Sequence, residues 1–500
     1  MGGSGVEQRL ALLRRTAEQQ LLKPLQTHGW VANITSENPN GEYFLIDASK
    51  DGQAHKVALL YTSATANTVY KTLDGIVEHI FVNGGLYMVE QFAYGIAATV
   101  SPVEAFFPIL LSWNKQIAPN VAQPQTAPSR PITVRHITSE TPLVGIWSRL
   151  DQFQSINLAH KLIARRAIDE NVVLDPAIRQ SKAEGLAFSL RNASDYFRAG
   201  PTDRLNKRIL SLYYGTLAFA FAEMLSTARG PQDLDELEGM TKSGHGLYTL
   251  PSGEDDFGGL VIGVLATGFF PNWISFLGQD VSAYPKKKAK AIEELAKYPP
   301  ASYALLRDLL AAVPELGDLF LEVFDSEPAW LTPVYNLLDN KSGPGLGTAN
   351  TGSTYIHLFD RSGRIEPSRI DQAGPLTEIV SVQATGPGRE YRARVDHPGL
   401  PHWHQALNTH GSPYLQNPAL ILPTIGGNTA FRVNALVILY ALSIVVRYMP
   451  SVWRRIEGGD WDEHRALIES LVDVYERSLP EQFLGSVIGE RIQASQPGRF

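Results

Sequence analysis

The amino-acid sequence predicts an α+β protein: a small α/β domain over residues 6–118, a linker over 119–139, and a large, mainly α-helical domain over 140–500 with a β insertion at about 354–396. Three patterns predict it. Before residue 118, short alternating apolar segments sit between two helical stretches. A segment rich in Pro, Gln and Ala follows. Over most of the remainder, apolar residues recur at helical spacing.

The first helical stretch, 6–22, is charged and amphipathic and is expected to stop ahead of Pro24, which lacks the backbone N–H of an interior turn. WVANI (30–34), EYFLID (42–47) and KVALLY (56–61) read as strands divided by Asn-Gly and Asp-Gly turns, followed by a helix over 65–80 and an apolar segment over 86–92. Residues 119–133, poor in large apolar side chains, read as extended chain. Helices are then expected at 149–169, 181–198, 205–228, 286–298, 301–312, 430–448 and 462–478. The strand-like TYIHLF, TEIVSVQAT and REYRARVD supply the insertion. Within 183–198, Leu186, Leu190, Ala193 and Phe197 make one apolar stripe between Arg191, Asp195 and Arg198, whereas 205–225 is apolar nearly all round. Gly200, Pro201, Thr202 and Asp203 offer a stop and a new N-cap, so the pair should fold as a buried hairpin.

A chain of 500 residues exceeds what one core supports, and 44% hydrophobic against 19% charged residues describes a packed protein. With a net charge of -7, attraction to nucleic acid would need a local basic patch. The chain has no cysteine, which excludes disulfides, Cys-type zinc sites, iron–sulfur clusters and cysteine nucleophiles. MGGSG reads as a flexible leader with no apolar signal core behind it, and the apolar run 433–446 is too short to cross a bilayer. A cytosolic protein with no membrane partner is expected.

The best local candidate for chemistry is Ser243-Gly-His-Gly-Leu247. Its glycines would let backbone N–H groups approach a phosphate while His245 shuttles a proton. His397, His402, His404 and His410 cluster in sequence; on a strand, His402 and His404 would share a face and could bind a metal of unknown identity. Arg447, Arg454 and Arg455 follow the most apolar helix, where cations complement its dipole. With Arg191, Arg198, Arg204, Lys207 and Arg208 they would form a nucleic-acid or anion patch if the helix ends converge. Lys286, Lys287, Lys288 and Lys290 read as the solvated start of a helix, and GPGLGTANTGS lacks the Lys-Ser/Thr of a P-loop.

The landmarks Ser211-Leu-Tyr-Tyr-Gly215, Ser243-Gly-His-Gly-Leu247, 305–324 and the run from Leu439 to Trp453 resemble, in their order, the YaaC-like proteins over about 145–500. That resemblance implies a relative without naming a reaction. Leu212, Tyr213, Tyr214 and Gly215 are also similar to the tyrosine signature of HEPN helix pairs, which implies a HEPN-like bundle. HEPN domains often serve as RNases in toxin and antiviral systems through an Arg, four to six residues, His motif. In that chemistry His is acid or base for the ribose 2′-OH and Arg stabilises the phosphate. Here Arg191 is followed at that spacing by Tyr196 and Arg432 by Val437, while Arg392 to His397 falls on an expected strand and Arg130 to His136 in the linker. The N-terminal helix and strands resemble the core of PD-(D/E)xK nucleases, which implies Mg2+ at Asp47, with Lys50 and Lys56 as a rearranged remainder of the site.

These resemblances imply a nucleic-acid-linked conflict or defence protein, either a nuclease or a sensor of nucleic acid or nucleotide. The catalytic candidates are His245, Arg191, Asp47 and Lys56, with Arg447 beside them, and Mg2+ is the expected cofactor of a nuclease. A homo-oligomer or a partner protein is expected. The alternative is a non-enzymatic oligomerising adaptor or scaffold, and a third reading is a small-molecule enzyme built on the His245 loop.

Overall fold

The computed structural model describes residues 3–50, 52–107, 109–110, 113, 134–198, 203–251, 256–335, 352–384, 386–400 and 402–497. They fall into two compact units, Met1–Pro128 and Ser129–Phe500.

In the first unit, α1 (Gly3–Thr16) takes in part of the expected leader and continues through a π-helical stretch (Ala17–Leu22) into α2 (Lys23–Thr27). Pro24 therefore does not end the helix. It occupies the first turn of α2, where its missing N–H is no loss, and Leu13, Ala17, Leu21 and Leu25 keep one buried stripe across the junction. A five-stranded sheet follows in sequential order: β1 (Val31–Glu37), β2 (Tyr43–Lys50), β3 (Gln53–Leu60), β4 (His79–Val82) and β5 (Thr99–Pro102). The first two pairings are antiparallel and the last two parallel. The helix expected over 65–80 shrinks to α3 (Asn67–Leu73), because Gly75, at φ +79°, turns the chain toward β4. The apolar segment 86–92 yields only the single turn α4 (Val89–Phe92). Alternation sorts the side chains onto two faces. Phe44, Ile46, Val57, Leu59 and Phe81 pack with the α1 stripe, while Ala58, Leu60 and Ile80 pack with Tyr70 and Leu73 of α3.

The second unit starts with β6 (Val134–Thr138), which corrects the expected linker: these residues pair in parallel with β14 (Arg491–Ser495). Residues 119–133 of that linker lie outside the described residues. The helix expected over 149–169 is two, α5 (Pro142–Gln152) and α6 (Ile156–Asp169). Next come α7 (Pro176–Arg198) and α8 (Leu205–Ser226), the expected hairpin. A Cβ on Gly185 would lie 3.0 Å from Leu225, and one on Gly215 would lie 2.6 Å from the Phe197 ring. The two helices are thus antiparallel and closely packed, and only glycine fits at 215. The Gly200, Pro201 and Thr202 turn lies outside the described residues; α8 is preceded by Arg204, with no side-chain cap.

The chain continues through α9 (Leu234–Lys242), β7 (Leu247–Leu250), β8 (Val261–Val264), α10 (Phe269–Phe276), β9 (Tyr303–Leu305), α11 (Leu306–Ala311) and α12 (Gly317–Phe324). The helix expected over 286–298 is absent: Lys286 to Lys290 are irregular and only a 3-10 stretch, Ile292–Lys297, forms. The insertion has four antiparallel strands rather than three: β10 (Leu331–Tyr335), β11 (Ser353–Asp360), β12 (Leu376–Val382) and β13 (Arg389–Asp396), in the order β10-β11-β13-β12, with α13 (Pro367–Ile370) between β11 and β12 in sequence. Then α14 (Phe431–Tyr448), α15 (Pro450–Gly458) and α16 (Asp462–Ile488) close the core, α16 running ten residues past its expected end. Helices α8 and α14 are long and apolar enough to cross a membrane, but 72% of each apolar window is buried in this core. Inside it, Glu223 of α8 accepts hydrogen bonds from Arg432 of α14 (2.6 and 3.0 Å) and from Trp273 Nε1 of α10 (2.9 Å).

Candidate functional site

The Ser243-Gly-His-Gly-Leu247 loop is held by its carbonyls. Those of Gly244, His245 and Gly246 accept from the N–H groups of Phe269, Phe270 and Leu265, each at 2.9 Å, so the loop caps the start of α10. Gly246 sits at φ +75°, and a Cβ on Gly268 would come within 2.4 Å of the Gly246 nitrogen. These glycines therefore serve close packing and positive φ, which corrects the expected N–H cradle for phosphate. The effect is to present His245 from a fixed backbone, with its ring packed on Tyr213 and Tyr440 and the residue still in part open to solvent.

Three distant segments meet there. His245 Nδ1 lies 2.8 Å from the hydroxyl of Tyr213 on α8. The ring lies 5.8 Å from that of Tyr440 on α14, whose hydroxyl donates to the Leu247 carbonyl at 2.9 Å. Two turns further along α14, Arg447 bonds the Ser443 carbonyl and hydroxyl, both at 3.1 Å, and reaches the Tyr214 hydroxyl at 3.5 Å. No carboxylate pairs with Arg447 among the described residues. Burial, and then the Arg447 charge, hold the His245 imidazole below its usual range, so it is neutral at pH 7. Burial pushes the Tyr440 phenol up to about 12 and raises Tyr213 as well. Tyr213 thus keeps its proton and can either donate to Nδ1 or accept from it; where it donates, the ring proton of His245 sits on Nε2. Through the adjacent Tyr213 and Tyr214 the cluster gathers a neutral imidazole and a guanidinium that has no carboxylate partner among the described residues.

A pocket of about 240 Å³ adjoins it, between α7, α8 and α9. Its lining includes Phe188, Tyr196, Tyr214, Phe221, Leu217 and Leu237. Tyr214 is the common wall, its ring stacked on Tyr196 with centroids 5.8 Å apart and its hydroxyl toward Arg447.

Of the sequence candidates, only Arg447 joins His245. Arg191 and Arg198 share a different face of α7, where Arg191 donates to the Gln154 carbonyl at 2.8 Å and Arg198 pairs with Asp151 at 2.8 Å over the Trp147 ring. Arg208 is held by Asp473 and Glu476 of α16 (2.6 and 2.9 Å), Lys207 by Asp203 (3.7 Å) and Arg455 by Asp460 (2.6 Å). Arg204 and Arg454 are exposed. In the first unit, Asp47 and Lys56 are cross-strand partners 3.5 Å apart. His402 and His404 belong to a 3-10 turn rather than a strand, with rings stacked at 5.2 Å. His397 bonds Thr354 (2.9 Å) and the Leu400 carbonyl (3.1 Å), and His410 is buried against Glu315 at 2.6 Å. Among the described residues no group of three or more His, Asp or Glu side chains is placed to hold a metal ion. Tyr213 and Tyr440 were visible in the sequence as apolar helix positions; their contact with His245 had no local signal.

A family model described as YaaC-like Protein matches residues 151–486, a span that takes in Tyr213, His245, Arg447 and the pocket. No curated protein and no solved structure matches the chain.

Proposed function

This chain belongs to the YaaC-like family, and we propose that it is a cytosolic, nucleic-acid-linked conflict or defence protein. Its helical unit recognises a phosphate-bearing ligand, a nucleotide or a nucleic acid, at the cluster of Tyr213, His245 and Arg447. The observation that carries this reading is the convergence of α8, the His245 loop and α14 on an imidazole, aromatic walls and a guanidinium with no carboxylate partner among the described residues. Charge-assisted hydrogen bonds from such donors are the strong ones. A local site of this kind is also what a chain of net charge -7 needs in order to hold a polyanion. Sensing is favoured over cleavage, because among the described residues no carboxylate or second imidazole bonds the cluster. A nuclease would draw on His245 as acid and Arg447 for the developing phosphate charge, with Mg2+ supplied elsewhere.

Fluorescence anisotropy with labelled RNA and DNA, and competition by mononucleotides, tests this. Arg447→Gln should weaken binding by about tenfold or more, the loss of a charged hydrogen bond, and cleavage is followed in the same samples with and without Mg2+. Equal affinity in Arg447→Gln, or no binding by the wild type, refutes the reading. The adaptor reading draws on the first unit, where Leu86, Tyr87, Met88 and Tyr94 are 40–67% exposed near α4. A monomer by light scattering would remove it.

A further inference from the structure

We infer that the pocket beside Tyr214 receives one unpaired nucleobase, so that the ligand of the cluster is a nucleotide unit whose base is free: a mononucleotide or single-stranded nucleic acid, not a duplex. This rests on the phosphate-recognition reading above and adds what lies next to the phosphate. At about 240 Å³ the pocket falls below the range of about 300–1,000 Å³ that accommodates drug-sized ligands, which suits a single ring system. Its walls are aromatic, with the stacked Tyr196 and Tyr214 and with Phe188 and Phe221.

Two polar groups in the lining decide between a base and an aliphatic guest. Ser189 is 1% exposed, and its buried hydroxyl has no hydrogen-bond partner. The Asn192 amide, one helical turn further along α7, makes no hydrogen bond among the described residues. An unpaired buried hydroxyl is costly, and a hydrocarbon guest would leave both groups unsatisfied. A heteroaromatic base satisfies them along its edge while its faces meet the aromatic walls. An amide offering one donor and one acceptor matches the adenine edge best. Glu238, also in the lining, is ion-paired with Lys242 at 3.4 Å, and the cation that draws the ligand's phosphate is Arg447 beyond Tyr214. A base stacked within a duplex cannot enter without being unpaired.

Calorimetric titration with adenosine 5′-monophosphate, ribose 5-phosphate, single-stranded oligoadenylate as RNA and as DNA, and a blunt duplex tests the inference on the full chain. The wild type should bind the mononucleotide at least about tenfold more tightly than ribose 5-phosphate, the size of a base-stacking contribution. Ser189→Ala and Asn192→Leu should narrow that ratio without changing the affinity for ribose 5-phosphate, which also shows that the variants fold. Tighter binding of the oligomer than of the mononucleotide identifies a strand as the source, and the reverse identifies a free nucleotide; both support the pocket. Equal binding of ribose 5-phosphate and mononucleotide, or of duplex and single strand, overturns the inference and leaves phosphate recognition standing. Binding of no probe overturns both.

Discussion

Removing the Glu223 carboxylate should be among the most damaging single changes to the helical unit. Glu223 is 3% exposed and accepts from both Arg432 and Trp273. In Glu223→Ala the guanidinium keeps its charge and loses its partner, and breaking a buried pair from one side costs about 3–5 kcal/mol. The unpaired indole N–H adds about 1–3 kcal/mol. The Arg432 side chain retains 16% exposure, so water recovers part of this, and a net loss of about 4 kcal/mol is expected. At about 2–4 °C per kcal/mol for large domains, the melting transition should fall by roughly 8–16 °C. Removing both charges in Glu223→Leu/Arg432→Met should recover most of the loss, since apolar replacement of a buried pair is often neutral. Urea unfolding monitored by tryptophan fluorescence, alongside thermal melting by circular dichroism, measures all three chains. A single variant that loses less than about 1 kcal/mol, or a double variant no better than the single, would refute the coupling of these helices through Glu223.

Two pH dependences follow from the same structure. Burial and Arg447 depress the His245 imidazole, so its NMR titration midpoint should lie below 6.5. The folded unit should lose stability as pH falls from 6.5 toward that midpoint, because the unfolded chain takes up the proton first. Arg447→Gln should move the midpoint part of the way back, burial being retained; an unmoved midpoint contradicts the cluster. Burial pushes the Glu315 carboxyl up, but hydrogen bonds from His410 and Ser412 and the His410 charge bring it below its usual 4.5. Its contribution to stability is therefore present above pH 4.5 and lost as pH falls through the depressed value. His410→Gln should flatten the urea midpoint against pH in that window, and parallel curves for the two proteins would contradict the assignment.

The α7–α8 hairpin was legible because Leu186, Leu190, Ala193 and Phe197 keep helical spacing across a whole face, and Gly215 then lets the two backbones close up. Local pattern failed where single residues or distant partners decide. Gly75 ends α3 inside an otherwise helical run, and Pro24 is harmless because it opens a first turn. The strand character of Val134 to Thr138 depends on residues near the far end of the chain. At the site, the paired glycines drew attention to His245 for a reason the structure reverses, since the loop offers carbonyls to α10 instead of N–H groups to an anion. Arg447 read as a complement to a helix end because nothing local says that Tyr214 and His245 lie beside it.

The pairing of β6 with β14 joins residues as distant in sequence as Val134 and Arg491, and is reinforced by Arg135 on Glu490, 355 residues apart. At about 5–20 residues per second of synthesis, β6 waits roughly 20–70 s for its neighbour. Until then it presents an open edge of the kind that recruits foreign strands. The nascent helical unit is therefore at its most aggregation-prone just before residues 491–495 emerge, and a ribosome that stalls short of them releases a chain whose clasp cannot shut.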